Sequence, residues 1–209
     1  MTPRFPMTWI GVAALLAVGH PAVADDGALY AKPIDPKAAF VRVIAPGSSI
    51  ASVKSSSFNQ LTGGVSPYVA VTPGEVSVSS SFGQANVSAK AGKFYSAVLT
   101  ATGETTVEDD MTKNPAKATL TLYNLTERAQ LDLFVPQAGA DAVSDVTRGA
   151  SKSVALRAPL DLDLVVRDGE TELARIGKVE FKRLAGIAVV VTETGDTINA
   201  IAVPSTIAR

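Results

Sequence analysis

The chain has no cysteine, one histidine and one tryptophan in 209 residues. Without cysteine it forms no disulfide and offers no thiolate, so its folded parts are held by packed apolar surface alone. His20 and Trp9 both precede Ala22-Val23-Ala24, an A-x-A processing site. Ahead of that site stand Arg4, a short basic region, and the apolar run Trp9 to Val18. This is the order of a secretory signal peptide, and a run of about ten residues is too short for a membrane span of ~20. Residues 1–24 are expected to be a signal peptide removed on export to the periplasm. The mature chain then begins near Asp25 and carries no transmembrane segment.

That mature chain has no imidazole, thiol or indole. A hydrolase or acyltransferase usually sets its nucleophile beside a general base, most often histidine. Ser55 to Ser57 and Ser77 to Ser81 supply hydroxyls, but serines alternating with Val76 and Val78 read as the solvated face of a strand. A Ser-Lys pair would need a buried lysine that nothing in the sequence marks. Asp161 and Asp163 share one strand face, and Asp25-Asp26 and Asp109-Asp110 fall at junctions; all read as exposed charge rather than as a glycosidase pair. There is no metal-ligand spacing and no calcium loop. Asn86-Val87-Ser88 and Asn124-Leu125-Thr126 fit the glycosylation sequon, a pattern common by chance. No catalytic, metal or cofactor-binding residue is expected, and no cofactor.

Neither sign of charge is in excess. The chain has 19 basic and 20 acidic residues, and loss of Arg4 leaves 18 against 20, a net charge of −2. That balance gives no footprint for a nucleic acid and none for charge-driven gripping of an acidic polymer.

What the sequence has in quantity is alternation. Phe40-Val41-Arg42-Val43, Glu75-Val76-Ser77-Val78, Thr119-Leu120-Thr121-Leu122 and Asp161-Leu162-Asp163-Leu164 repeat apolar and polar with a period of two, as half-buried strands do. Ala97-Val98-Leu99 and Ile187 to Val191 are denser and suit central strands covered on both sides. Pro73-Gly74, Thr102-Gly103, Asp168-Gly169 and Thr194-Gly195 mark turns. No segment after the leader sustains a helical period. Short strands with turns at this spacing predict an all-β chain of sandwich type.

The pattern also occurs twice. Thr100-Ala101-Thr102-Gly103-Glu104-Thr105 recurs as Thr192-Glu193-Thr194-Gly195-Asp196-Thr197, and Pro73-Gly74-Glu75-Val76-Ser77-Val78 as Pro159-Leu160-Asp161-Leu162-Asp163-Leu164. Ala91-Gly92 and Ala185-Gly186 pair with two residues of slip. The expectation is two tandem small β-sandwich (Ig-like) domains after the signal peptide. Alternation stops over a polar stretch containing Asn114-Pro115, which sets a linker at 109–117 between a first sandwich at 40–108 and a second at 118–209. Residues 25–39, with Pro33 and Pro36, are expected to form an extended N-terminal arm. Halves this small have marginal cores and are expected to lean on each other.

Four tyrosines remain as candidates for recognition. Tyr95 and Tyr123 fall inside strands and read as packing residues. Tyr30, in the arm beside Leu29, and Tyr68, after Pro67, are expected to be exposed, and Leu29, Tyr30 and Tyr68 are the candidate partner-binding residues.

Several segments together resemble a known family. Ala28-Leu29-Tyr30, Pro33, Pro36 and Phe40-Val41-Arg42-Val43 look like the mature start of the alginate O-acetylation protein AlgF family. Leu120 to Thr126 resembles its second-domain opening, an alternating strand ending in Asn-Leu-Ser/Thr. Leu162, Leu164, Asp168 and Gly169, then Arg183 and the strand Ile187 to Thr192, match its later part. Ile44-Ala45-Pro46 departs from the pattern, where an Asn-bearing turn is expected. The resemblance implies a non-catalytic periplasmic accessory or adaptor protein required for O-acetylation of a secreted exopolysaccharide, alginate first. Its partners would be periplasmic or membrane-associated O-acetyltransferases of that pathway, with the polysaccharide itself as a further partner. Two other classes fit the same absences: a structural or adhesive two-sandwich surface protein, and an acetyl esterase or transferase with an atypical site.

Overall fold

The computed structural model describes residues 33–208, and the period of two becomes strands throughout it. The first eight are β1 (Ala39–Ile44), β2 (Ala51–Val53), β3 (Ser56–Phe58), β4 (Val69–Val71), β5 (Gly74–Ser80), β6 (Gly83–Ala89), β7 (Phe94–Thr100) and β8 (Gly103–Asp109). The second eight are β9 (Lys117–Leu125), β10 (Gln130–Val135), β11 (Ala140–Thr147), β12 (Ser151–Arg157), β13 (Leu160–Asp168), β14 (Thr171–Phe181), β15 (Gly186–Thr194) and β16 (Thr197–Ser205). No described residue is helical. The all-β expectation holds; the signal peptide and residues 25–32 of the arm lie outside the described residues.

The strands make four sheets, ordered β4-β1-β7-β8 and β3-β2-β5-β6 in the first half, β12-β9-β15-β16 and β11-β10-β13-β14 in the second. Strand for strand, β9 to β16 repeat the wiring of β1 to β8. Each half even carries the same parallel pair, β1 with β7 and β9 with β15. The repeated hairpin sits on equivalent strands, β7–β8 and β15–β16, and the Pro73 and Pro159 segments open the equivalent strands β5 and β13.

Backbone hydrogen bonds correct the repeat in one place and extend it in another. Gly92 N–H donates to Ala38 O at 2.8 Å and Leu184 N–H to Lys117 O at 2.8 Å. Lys93 to Lys90 and Ala185 to Lys182 are both 3.2 Å, and Phe40 to Lys93 and Thr119 to Ala185 both 2.9 Å. Gly92 therefore corresponds to Leu184, without slip, and Gly186 corresponds to Phe94. The extension lies upstream: Ala38 N–H bonds Asp35 O and Lys117 N–H bonds Asn114 O, each closing an Asx-Pro turn at Asp35-Pro36 and Asn114-Pro115. In both, the Asx side chain accepts from the backbone two residues on, at 2.8 and 2.9 Å. Part of the expected arm and part of the expected linker are thus the same entry turn used twice.

Each sandwich has its own core. Val41, Val43, Val76, Val78, Ala97 and Leu99 are among those filling the first, and Leu120, Leu122, Leu131, Leu164, Phe181 and Val189 among those filling the second. Because successive strand residues point to opposite faces, β1, β7, β9 and β15 each have a second face. These faces meet. Ile44, Val65 and Val98 from the first sandwich pack with Tyr123, Ala188, Val190 and Val203 from the second in a third buried cluster. The sheets containing β1 and β9 stack, giving four layers, and the dense strands β7 and β15 are buried on both sides as their sequences predict. After β16 the chain crosses back: Tyr68 N–H donates to Thr206 O and Ala208 N–H to Tyr68 O.

Candidate functional site

Where the inner sheets meet, one polar cluster is built from both sandwiches. Arg42 on β1, 1% exposed, lies between Val41 and Val43 and so points away from the first core. Its Nε donates to Ser96 Oγ at 2.7 Å, Nη1 to Ser205 Oγ at 2.9 Å and Nη2 to Tyr123 Oη at 2.6 Å. The guanidinium lies 4.4 Å from the Tyr68 ring centroid and 5.4 Å from that of Tyr123. Asp109, at the end of β8 and buried, accepts from Tyr68 Oη at 2.7 Å, from Ser96 Oγ at 2.5 Å and from Tyr123 Oη. Phe94 extends the cluster, edge-on to Tyr68 and stacked on Phe40 at 4.3 Å.

The electrostatics follow from this packing. Burial works against the charged guanidinium, yet the Tyr123 and Tyr68 hydroxyls and the Asp109 carboxylate hold the Arg42 pKa above its ordinary value. Burial raises both tyrosine hydroxyls, against the opposing pull of Arg42. Among the described residues no buried side-chain nitrogen or oxygen lacks a partner. Arg42 and Asp109 are joined through the Ser96 and Tyr123 hydroxyls, and removing one of two buried opposite charges is costly, at about 3–5 kcal/mol, because the other is left uncompensated.

A serine donating to a carboxylate beside an arginine has the composition of a nucleophilic site. The geometry does not serve one. Ser96 is 0% exposed, its Oγ is held by Arg42 and Asp109, and a substrate would have to part the two sandwiches to reach it. Among the described residues no cluster of three or more histidine, cysteine, aspartate or glutamate side chains could hold a metal ion.

The sequence-predicted recognition residues separate. Leu29 and Tyr30 lie outside the described residues. Tyr68, expected to be exposed, is 1% exposed, because the crossing C-terminal segment pairs with its backbone and Arg42 covers its ring. Asp109, read as solvated junction charge, is buried as the anion of the cluster. Tyr95 and Tyr123 are buried, as expected. Asn124 is also buried: its amide donates to Arg128 O and Val146 O while Thr126 donates to its Oδ1, so it organises a turn. Ala45, the equivalent residue in the first sandwich, packs against Gly64, which has φ +74° and lies so close to the Ala45 carbonyl that a Cβ there would collide with it. That close packing replaces the Asn-bearing turn.

Beside the sealed cluster, at the end where both sandwiches turn back, opens a cleft of about 670 Å³. Tyr68 and Phe94 form part of its wall, with Ile34, Met111, Leu184 and Ile207 around them. Leu184 is 63% exposed and its backbone is left-handed, with φ +58°. An adjoining cavity of about 610 Å³ shares Phe94, Met111 and Lys113 and adds Lys93, Glu108, Asp110 and Asp109 of the cluster. No sequence signal points to this cleft, because its walls come from turns and strand ends in six separate parts of the chain.

Fold and cluster together define a tandem β-sandwich protein with a structural polar core between its halves and an open cleft beside it. A protein-family model described as Alginate O-acetyl transferase AlgF matches residues 12–189, and the chain belongs to the AlgF family. No curated protein matches the chain. Among solved structures, the C-terminal domain of AlgF from P. aeruginosa is similar at 22% identity, covering 43% of this chain and 98% of that one with a TM-score of 0.39.

Proposed function

We propose that this protein is a non-catalytic accessory or adaptor in alginate O-acetylation, working outside the cytoplasm beside the acetyltransferases that carry out the chemistry. The observation that carries the reading is the sealing of Ser96 and Asp109. The described residues hold Ser96 between a carboxylate and an arginine, and that serine is fully buried with its hydroxyl engaged by both. Acetyl transfer through a serine needs an accessible, activated hydroxyl. Membership of the AlgF family supplies the pathway. The basic, apolar and A-x-A segments of residues 1–24 support export.

Deletion of the gene is expected to lower the acetyl content of the polymer while polymer synthesis continues. Purified protein incubated with an activated acetyl ester is expected to show no acetylated side chain by intact mass. A stable acetyl-serine on the wild-type protein would overturn the non-catalytic reading.

A further inference from the structure

The repeat supplies an internal reference for the turn that carries Leu184. Lys90 to Lys93 and Lys182 to Ala185 make the same three backbone hydrogen bonds at matching distances. Both turns need a residue in the left-handed region, and the first uses Gly92 at φ +71°. The second uses Leu184 at φ +58°, a conformation that disfavours any residue with a Cβ. Nothing in the fold asks for that side chain, since it is 63% exposed. A strained backbone carrying an exposed apolar side chain at the lip of a cleft is the pattern of a recognition residue.

Among the described residues the one charged side chain lining the cleft itself is Lys113. Lys93 is paired with Glu108 and Lys182 with Glu180. Lys113 and Arg183 have no ionic partner among the described residues, Arg183 Nε donating to Ala158 O; in the adjoining cavity the carboxylates besides Glu108 are Asp109, engaged in the buried cluster, and Asp110. Lys113 lines both cavities.

We propose that the Leu184 turn and the cleft beside it dock a protein partner presenting an apolar side chain flanked by carboxylates. Leu184 supplies the apolar contact, Met111 and Ile207 the walls, and Lys113 and Arg183 the charge that orients the partner. The inference rests on the adaptor reading and gives it a surface.

The test uses the full mature protein and the pathway's O-acetyltransferases as probes, with binding measured by calorimetry. Leu184→Gly separates binding from folding, because glycine accepts the left-handed backbone as it does at position 92. Its midpoint temperature is expected to match or exceed that of wild type, while affinity falls by about tenfold or more. Lys113→Glu is expected to weaken binding and flatten its salt dependence. Phe82→Ala, at an exposed hairpin tip of the first sandwich, is expected to bind as wild type does. If wild type binds while Leu184→Gly and Lys113→Glu both stay within about twofold of it, the surface is wrong and the adaptor reading stands. If wild type binds none of the acetyltransferases, the adaptor reading itself falls and takes this inference with it. Loss of self-association in Leu184→Gly, seen by sedimentation with acetyltransferase binding unchanged, would assign the surface to a second copy. Binding of a polyuronate oligomer that the same variants abolish, with acetyltransferase binding unchanged, would assign it to the polymer.

Discussion

The two sandwiches share one wiring diagram and differ most where they touch each other and where they meet the cleft. On the inner sheets, Arg42 of β1 pairs across to Ser96 of β7, and the corresponding residues of the second sandwich are Thr121 and Ala188. The first sandwich thus brings both buried charges, Arg42 and Asp109, and the second answers with the hydroxyls of Tyr123 and Ser205. At the turn into the seventh strand the contrast reverses: the first sandwich has the unstrained glycine, and the second has the strained leucine. A shared scaffold makes such departures informative, because the equivalent position shows what folding alone requires.

The largest effect is expected from removing charge on the first-sandwich side. Asp109→Ala strands the Arg42 guanidinium and should lower stability by about 3–5 kcal/mol in chemical denaturation. High pH comes next, because it acts on two residues of the cluster at once. Tyr68 and Tyr123 have folded pKa values raised above the ordinary value of 10.0 by burial. The native state therefore keeps protons that the unfolded chain has lost above that pH, so their contribution is complete below pH 10 and fades as pH rises beyond it. Tyrosinate absorbance from these two residues should appear together with loss of the β-sheet circular dichroism signal, and their ionisation in a still-folded protein would contradict their sealing.

From the second-sandwich side the expected loss is smaller. Tyr123→Phe removes one hydroxyl shared by Arg42, Asp109 and Ser96 and should cost about 1–3 kcal/mol by the same denaturation measurement. The smallest effect sharpens the turn comparison. Gly92→Leu places its Cβ where no atom lies within 4 Å, so the main resistance is the left-handed backbone. A loss of about 1–2 kcal/mol is expected, with Leu184→Gly neutral or stabilising. Equal destabilisation by both changes would remove the case that Leu184 is strained.

Much of this architecture was legible in the sequence. The period of two in Thr119 to Leu122 and Asp161 to Leu164 predicts the strands, and the Pro73 and Pro159 segments fall on equivalent ones. Alternation fails at Arg42 for a physical reason: it says that a residue leaves its own core, and is silent on whether water or another sheet covers that face. Tyr68 and Asp109 were misread in the same way, since their burial comes from Arg42 and Tyr123, distant in the chain. The slip in the repeat arose from matching Gly92 to a nearby glycine, Gly186, when the conformational equivalent is a leucine. The Asx-Pro turns at Asp35 and Asn114 fall in the expected arm and linker; the proline two residues before Ala38 and before Lys117, whose carbonyls bond Gly92 and Leu184, is the shared signal that marks them.

We propose the Arg42–Asp109 cluster as a structural lock between the halves. Scanning calorimetry of the mature protein tests it directly. A locked pair should melt in one transition with equal calorimetric and van't Hoff enthalpies, and Asp109→Ala should lower that transition or split it in two. Two resolved transitions in the wild-type protein, unchanged by Asp109→Ala, would contradict the lock.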